Sequence, residues 1–360
     1  MLLKYSVGVD VSCKSLKCCI STIDKEQKVK VKSSTTVSNN LSGFKNLIDW
    51  IKKHYNDPEV PLLVCMEATG VYYEQCAYYL HDKGFKVVVV LPNKSKKYFQ
   101  ALGLKSKNDK IDAKGLAQMC AEQHLKIWEP LNDFYYVLRQ LTRQHQSLQE
   151  QKSSLKNQLH AMQHSAYQSK TILQQMNQTI ALFDKQIKQI GKAIKEHIAS
   201  SPEAKSKFDN VCAIKGLGLI SVATVVAETN GFILFENYKQ LVSYAGYDVV
   251  ENQSGNHIGK TRISKKGNPR IRRILHMPAL VVKKYKEPPF INLYNRTFER
   301  HGIKMKSYVA IQKKLLVMIY YLWKKNEKYN PNYGMDIQEK ELVLPSLLAF
   351  EKGKNEVASL

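Results

Sequence analysis

Tyr5-Ser6-Val7-Gly8-Val9-Asp10 is an apolar run closed by a carboxylate, and its reading decides how the rest of the chain is understood. Strands are poor in Asp, so an acid at a strand end calls for a reason beyond local preference. Ser15–Ile23 and Val29–Val37 follow across short polar turns, and with Tyr5–Val9 they read as three successive strands. Leu41–His54 reads as a helix with Leu41, Phe44, Leu47, Ile48 and Ile51 on one face. Leu62–Met66 is a continuous apolar strand, and Glu67 follows it. Tyr72–Lys83 reads as a helix that stops at Gly84. Phe85–Leu91 reads as a buried strand ended by Pro92, and Lys94–Ala101 and Asp112–Gln123 as helices.

Three strands, helix, strand, helix, strand, helix is the element order of the α/β ribonuclease H-like fold. That fold places acids on its first strand, its fourth strand and a late helix. Asp10, Glu67, Asp109 and Asp112 fall at those places, the last two in Lys107-Asn108-Asp109-Lys110-Ile111-Asp112-Ala113. On a helix, positions three apart share a face. Four carboxylates held together repel unless a divalent cation joins them. Two Mg²⁺ ions in such a cage can activate a nucleophile and stabilise the leaving oxygen of a phosphodiester. The plain alternative is that these acids serve turns and helix caps.

Composition bounds the partners. The chain has 360 residues, which predicts two or three domains. Lys and Arg number 55 against 31 Asp and Glu, a net charge of +24 that points to a polyanion, most simply nucleic acid. A membrane surface is the rival, but no run of about 18 apolar residues exists, and Met1-Leu2-Leu3-Lys4 is too short for a signal peptide. Seven cysteines without a CxxC pattern fit a reduced, cytoplasmic protein lacking disulfides and structural zinc.

Beyond the first unit, residues 1 to 128, glycine and proline nearly vanish until about 200. Leu138, Leu141, His145, Leu148, Lys152, Leu155, Leu159 and Met162 follow a 3,4 repeat, and Leu173, Met176, Ile180, Phe183, Ile187, Ile190 and Ile194 follow another. This heptad spacing predicts two long coiled-coil helices over 129–200, broken near Gln163–Thr171 and either folded back on each other or paired between subunits. His145 and Lys152 weaken the first seam. Residues 201–330 read as a mostly helical third unit, and 331–360 as a partly ordered tail.

Three further segments carry candidate chemistry. Ala213-Ile214-Lys215-Gly216-Leu217-Gly218-Leu219 has the form of a helix-hairpin-helix turn, whose amides can hold a backbone phosphate regardless of base sequence. The alternative is a tight turn between packed helices. The glycine-punctuated segment from Glu251 to Pro269 contains Ser254, Lys260, Arg262, Lys265 and Lys266, and Arg270, Arg272 and Arg273 open the helix after it. Such a cationic run can grip phosphates. Its Ser254 could act as a nucleophile, although from spacing alone a loop serine is ordinarily just that. The acid-free run from Lys83 to Asn108 brings Lys105 and Lys107 next to Asp109, either as substrate contacts or as a solvated face.

Together these blocks resemble the DEDD transposases of bacterial insertion sequences, the bridge-RNA-guided recombinases. Gly8-Val9-Asp10, Met66-Glu67-Ala68-Thr69-Gly70 and Asn108-Asp109-Lys110-Ile111-Asp112-Ala113 look like the three blocks of the family's RuvC-like domain. Ile214-Lys215-Gly216-Leu217-Gly218 looks like the start of its C-terminal transposase domain. Gln253-Ser254-Gly255 and Arg262-Ile263-Ser264-Lys265-Lys266-Gly267-Asn268 look like that domain's serine loop. The resemblance spans residues 5 to about 325 and implies that Asp10, Glu67, Asp109 and Asp112 bind Mg²⁺, with Mn²⁺ as a substitute, while Ser254 links covalently to DNA. It implies donor and target DNA, a non-coding bridge RNA and a tetramer as partners, at the nucleoid. A RuvC-like junction nuclease using water, without Ser254, and a non-enzymatic nucleic-acid scaffold are the competing readings.

Overall fold

The computed structural model describes residues 1–103, 109–251, 253–254, 257–259 and 262–332, and the expected tail beyond 332 lies outside them. The chain divides into two compact units, Met1–Pro130 and a second beginning at Leu131.

Unit 1 is built on a five-stranded mixed sheet. Its strands are β1 (Leu2–Val11), β2 (Ser15–Asp24), β3 (Val29–Ser38), β4 (Leu62–Glu67) and β5 (Lys86–Val90), in the order β3-β2-β1-β4-β5. The first three form an antiparallel meander, and β1, β4 and β5 run parallel. This topology fits the ribonuclease H-like fold. Helix α1 (Leu41–His54) is capped by Asn40, whose side chain accepts from the Gly43 amide at 2.9 Å. It buries Phe44, Leu47, Ile48 and Ile51 with Val7, Val9 and Leu16 on one face of the sheet, while Leu41 is exposed. α2 (Glu74–Asp82) adds Cys76, Ala77 and Leu80 to that core.

Helix α3 (Pro92–Ala101) begins two residues earlier than the sequence predicts, because Pro92 both ends the strand region and opens the helix at a position that needs no N–H donor. α4 (Asp109–Glu122) likewise begins three residues earlier, so Asp109 and Asp112 both lie on it.

The opposite face of the sheet is covered by α4. Cys65, Val88 and Val90 pack with Leu116, Met119 and Cys120, and Cys19 packs with Ala113 and Ala117. Gly8 is the point of closest approach: a Cβ there would collide with the Ala113 carbonyl and the Ala117 amide nitrogen. The colliding atoms are helix backbone, which cannot rotate away.

Unit 2 opens with α5 (Asp133–Gln163) and α6 (Lys170–Ala199). They fold back on each other within the chain: Phe134 stacks on His197 at 4.5 Å, and farther along Lys152 pairs with Asp184. The two polar seam positions are thereby accommodated. Lys152 has its carboxylate, and burial pulls the His145 imidazole below its ordinary value, leaving it neutral at pH 7. The helical segment is not a unit of its own. Leu138, Ile194 and Ile198 share one core with Phe208, Leu241, Ile271, Phe290, Leu315 and Trp323.

That core is closed by α7 (Pro202–Cys212), α8 (Leu219–Glu228), α9 (Tyr238–Ala245), α10 (Pro269–Ile274), α11 (His276–Lys284), α12 (Pro288–His301) and α13 (Lys304–Lys325). Among the described residues no helix is long and apolar enough to cross a membrane. The seven cysteines are free thiols, five of them buried.

Gly8→Ala is expected to lower the stability of unit 1 by about 1–3 kcal/mol, the ordinary cost of overpacking. Urea denaturation followed by circular dichroism checks this, and an unchanged midpoint would contradict the close docking of α4.

Candidate functional site

The strand register places the N-terminal acids. Asp10 lies two residues beyond Gly8, hence on the same, α4-covered face. Glu67 lies two beyond Cys65, on that face of β4. The parallel pairing runs through Val9↔Met66, so Asp10 and Glu67 are the next positions on adjacent strands, which are spaced about 5 Å apart. Asp112 immediately precedes Ala113, the residue whose carbonyl meets Gly8. Three elements distant in sequence thus bring Asp10, Glu67 and Asp112 to one end of the α4-covered face. Asp109 opens α4, but its side chain lies outside the described residues, as do Lys105 and Lys107. No group of three His, Cys, Asp or Glu within metal-binding reach occurs among the described residues.

Glu67 is held from beneath. Ser95, fully buried in the first turn of α3, donates its hydroxyl to Glu67 Oε2 at 2.6 Å. The row through Asp10 also continues outward: Asp10 pairs with Lys17, and Lys17 with Thr36. Lys17, Ser34, Thr36 and Ala113 line a groove of about 320 Å³ there. Sequence reasoning missed Ser95 and Lys17. The short turn between β1 and β2, read as a hairpin register, sets Lys17 opposite Asp10; nothing in the local sequence marks Ser95.

In unit 2 the segment expected as a helix-hairpin-helix turn does join two packed helices, α7 and α8. Gly216 takes φ +92° and sits where a Cβ would meet Val281, which suits glycine on both counts. Gly218 caps α8, and its carbonyl accepts from the Ser221 amide at 2.9 Å.

The serine segment is a narrow antiparallel ribbon rather than a plain loop. β6 (Val249–Val250) pairs with β9 (Arg262–Ile263), and β7 (Gln253–Ser254) with β8 (His257–Ile258). Ser254 therefore lies toward the tip; its side chain and Lys260 lie outside the described residues. The base is pinned by Ser264, whose amide donates to the Asp248 carbonyl at 2.8 Å and whose hydroxyl donates to Asp248 Oδ1 at 2.7 Å.

Arg262, Lys265, Lys266 and Arg273 are exposed, and Arg270 and Arg272 are half-buried. Arg272 donates to the Ala245 carbonyl at 2.8 Å and so helps hold the ribbon base. Arg273 pairs with Glu150 of α5.

Beside this base lies a carboxylate that sequence reasoning missed. Glu228, at the end of the largely apolar α8, has a side chain 1% exposed. Arg143 of α5 grips it with two bonds, Nε to Oε1 at 2.7 Å and Nη2 to Oε2 at 3.0 Å. Asn268 donates Nδ2 to Oε2 at 2.8 Å, and Arg270 Nε stands 4.0 Å from Oε1. Burial pushes the Glu228 carboxyl up, but Arg143, Asn268 and Arg270 outweigh it and hold the group below its ordinary range. A lone acid closing Leu219-Ile220-Ser221-Val222-Ala223-Thr224-Val225-Val226-Ala227 was the available signal; its partner, 85 residues away, had none.

Comparisons with known proteins point to transposases. Residues 7–167 match the family model described as Transposase, of the DEDD IS110 type, and residues 209–295 the one described as Transposase IS116/IS110/IS902 family. The pilin gene-inverting proteins of Moraxella lacunata and Moraxella bovis are each 28% identical to this chain over 329 residues, covering 91% of it and 98% of their own length. Among solved structures, Thermus thermophilus RuvC matches at a TM-score of 0.27 and 14% identity, over 34% of this chain and 99% of its own. The fowlpox virus Holliday junction resolvase matches at a TM-score of 0.24 and 16% identity, over 33% and 97%.

Arg143→Ala leaves Glu228 buried without its main partner and is expected to cost about 3–5 kcal/mol at neutral pH. The Glu228 carboxyl titrates lower folded than unfolded, so its contribution is present above its ordinary value of 4.5 and is lost as pH falls through its folded value. The penalty of Arg143→Ala should therefore shrink in acid, when Glu228 takes up its proton. Urea titrations of both proteins across that range check this; a penalty independent of pH would exclude an ionic origin.

Proposed function

The chain belongs to the IS116/IS110/IS902 transposase family, and from that premise we propose that it cuts and rejoins DNA strands through a carboxylate–metal site and a covalent serine–DNA intermediate. The observation that supports the first half of the reading is that Asp10 and Glu67 follow paired positions of adjacent strands on the α4-covered face, with Asp112 next to the Ala113 that meets Gly8. Asp109, on the first turn of α4, completes the set in this reading. Four carboxylates are a hard-oxygen donor set, which fits Mg²⁺ or Mn²⁺. A divalent ion bound there would supply charge to activate a nucleophile and stabilise the leaving oxygen. Ser95 fixes the Glu67 carboxylate for that task.

The second half rests on the ribbon. Ser254 Oγ would form a bond to phosphorus while the bond from phosphorus to the departing sugar oxygen breaks. The serine proton ends on that sugar oxygen, so the exchange is balanced and reversible. The phosphodiester bond energy is kept in the serine link, and rejoining needs no nucleotide triphosphate. A serine hydroxyl is weakly acidic and must be activated. The cations at the base of the ribbon suit the charge of the reacting phosphate. The turn at Gly216 and Gly218 suits a contact to the DNA backbone.

The excess of 24 positive charges supports further polyanionic contacts. In this reading they serve donor and target DNA and a structured bridge RNA, in an assembly of four chains.

Asp10→Ala and Asp109→Asn should each abolish DNA breakage while leaving the circular dichroism spectrum unchanged. Ser254→Ala should bind DNA as the wild type does yet yield no covalent product in a denaturing gel. Full recombination by Ser254→Ala would favour the water-using nuclease instead. For the RNA, protein freed of nucleic acid by nuclease treatment should lose its choice of target; sequence-specific recombination without RNA would refute that part.

A further inference from the structure

Both roots of the serine ribbon meet at one residue. On the incoming side, Tyr244 near the end of α9 donates its hydroxyl to the main-chain oxygen of Glu228 at 3.1 Å. On the outgoing side, Asn268 donates to the Glu228 carboxylate at 2.8 Å. Asn268 is itself fixed twice more. Its amide donates to the Tyr244 carbonyl at 2.7 Å, and its side-chain oxygen accepts from the Arg270 amide at 2.9 Å, capping α10. The same carboxylate holds Arg143 in a two-bond grip and stands 4.0 Å from Arg270, and each of these arginine side chains is 40% exposed.

Fold stability alone gives little reason for this arrangement. An apolar residue in place of a buried ion pair is often neutral or stabilising, and α8 is apolar at nearly every other position. What the carboxylate does that an apolar side chain cannot is fix direction. It ties three segments distant in sequence, α5, the end of α8 and the exit of the ribbon, by bonds of defined geometry.

We propose that Glu228 is the positioning residue of the serine ribbon: its main-chain oxygen holds the incoming root through Tyr244, while its carboxylate holds the outgoing root through Asn268 and keeps Arg143 and Arg270 oriented at the ribbon base. The inference rests on the serine reading given above.

The test uses the full-length protein, co-expressed with its native flanking DNA and then incubated with Mg²⁺ and labelled DNA of those flanks. Glu228→Gln keeps the shape and an acceptor for Asn268 but removes the charge that orients both arginines. It should bind DNA within about threefold of wild type, whereas the rate of covalent adduct formation at saturating DNA falls about 10- to 100-fold, as expected for a small misplacement of reacting groups. The double variant Glu228→Gln, Arg143→Gln restores a neutral hydrogen-bonded pair and should regain melting temperature but not adduct rate. Tyr244→Phe, a milder change should Glu228→Gln fold poorly, should slow the adduct at unchanged DNA affinity.

An adduct rate within threefold of wild type in Glu228→Gln and Tyr244→Phe would overturn the proposal. So would a loss confined to DNA affinity, or recovery of rate together with stability in the double variant, since each describes a purely structural role. Wild-type protein that forms no adduct at Ser254 would sink the serine reading and this inference with it. A Ser254 adduct in wild type with undiminished rate in the variants would sink the inference alone.

Discussion

Unit 1 depends on the contact between the backbone of α4 and Gly8. Helices normally stand off a sheet by the length of their side chains. Here the missing Cβ lets the helix rest directly on β1, at Ala113 and Ala117, two small residues one turn apart. The consequence is positional: with the helix axis this close, residues at its N-terminal end reach the ends of β1 and β4. Side-chain alternation does the rest, since Gly8 and Asp10 share a face, as do Cys65 and Glu67. The apolar pairs bury the middle of that face and the acids occupy its end. One constraint therefore serves stability through Ala113 and Ala117 and sets the position of Asp112.

Unit 2 manages its buried polar groups differently. Its core is apolar and aromatic, with Phe208 against Trp323 at 4.9 Å and Phe232 against Tyr320 at 5.6 Å. Several of the polar residues that enter it arrive with partners, although the buried Ser307 hydroxyl has none among the described residues. Tyr247 donates its hydroxyl to Gln312 Oε1 at 2.9 Å, Tyr329 donates to the buried Glu287 at 3.1 Å, and Glu228 has Arg143 and Asn268. Leaving any of these alone would cost the desolvation of the group, about 1–3 kcal/mol or more for a charge. Satisfied, they specify which segments meet.

The sequence made the first unit legible because its signals are local. Alternation in β1 to β3, the helical stripe of α1 and the long apolar run of β4 each declare themselves within about ten residues, and all occur at the expected places. The positions of Asp10, Glu67 and Asp112 followed from that order. Ends were less legible, as at α3 and α4, because a helix start depends on which N–H groups find partners. The ribbon around Ser254 was hidden because two-residue strands carry no periodicity, and glycine and lysine mask any alternation. Heptad spacing revealed α5 and α6 but could not say whether they pair within one chain. The Lys152–Asp184 pair and the Phe134–His197 stack answer that, and both depend on contacts across tens of residues. Glu228 is the extreme case: an acid at the end of an apolar helix gives no hint that its partners are Arg143 and Asn268.

The shortness of the ribbon explains where its precision must come from. A two-stranded hairpin is marginally stable at best in water, and each paired stretch here has only two residues per strand. A hydroxyl that attacks DNA, as proposed for Ser254, has to be held to about half an ångström. The ribbon's own ladder cannot supply that, so the position of Ser254 is inherited from its base. There the chain is fixed at Gly246, Asp248, Ser264, Lys265 and Asn268 within a few residues on either leg. Lys265 even adopts φ +53°, a conformation costly for a side chain other than glycine, to donate to the Gly246 carbonyl at 3.1 Å. The strain is tolerated because the surrounding bonds over-determine it, and a base built in this way can fix the orientation of a stem too short to hold itself.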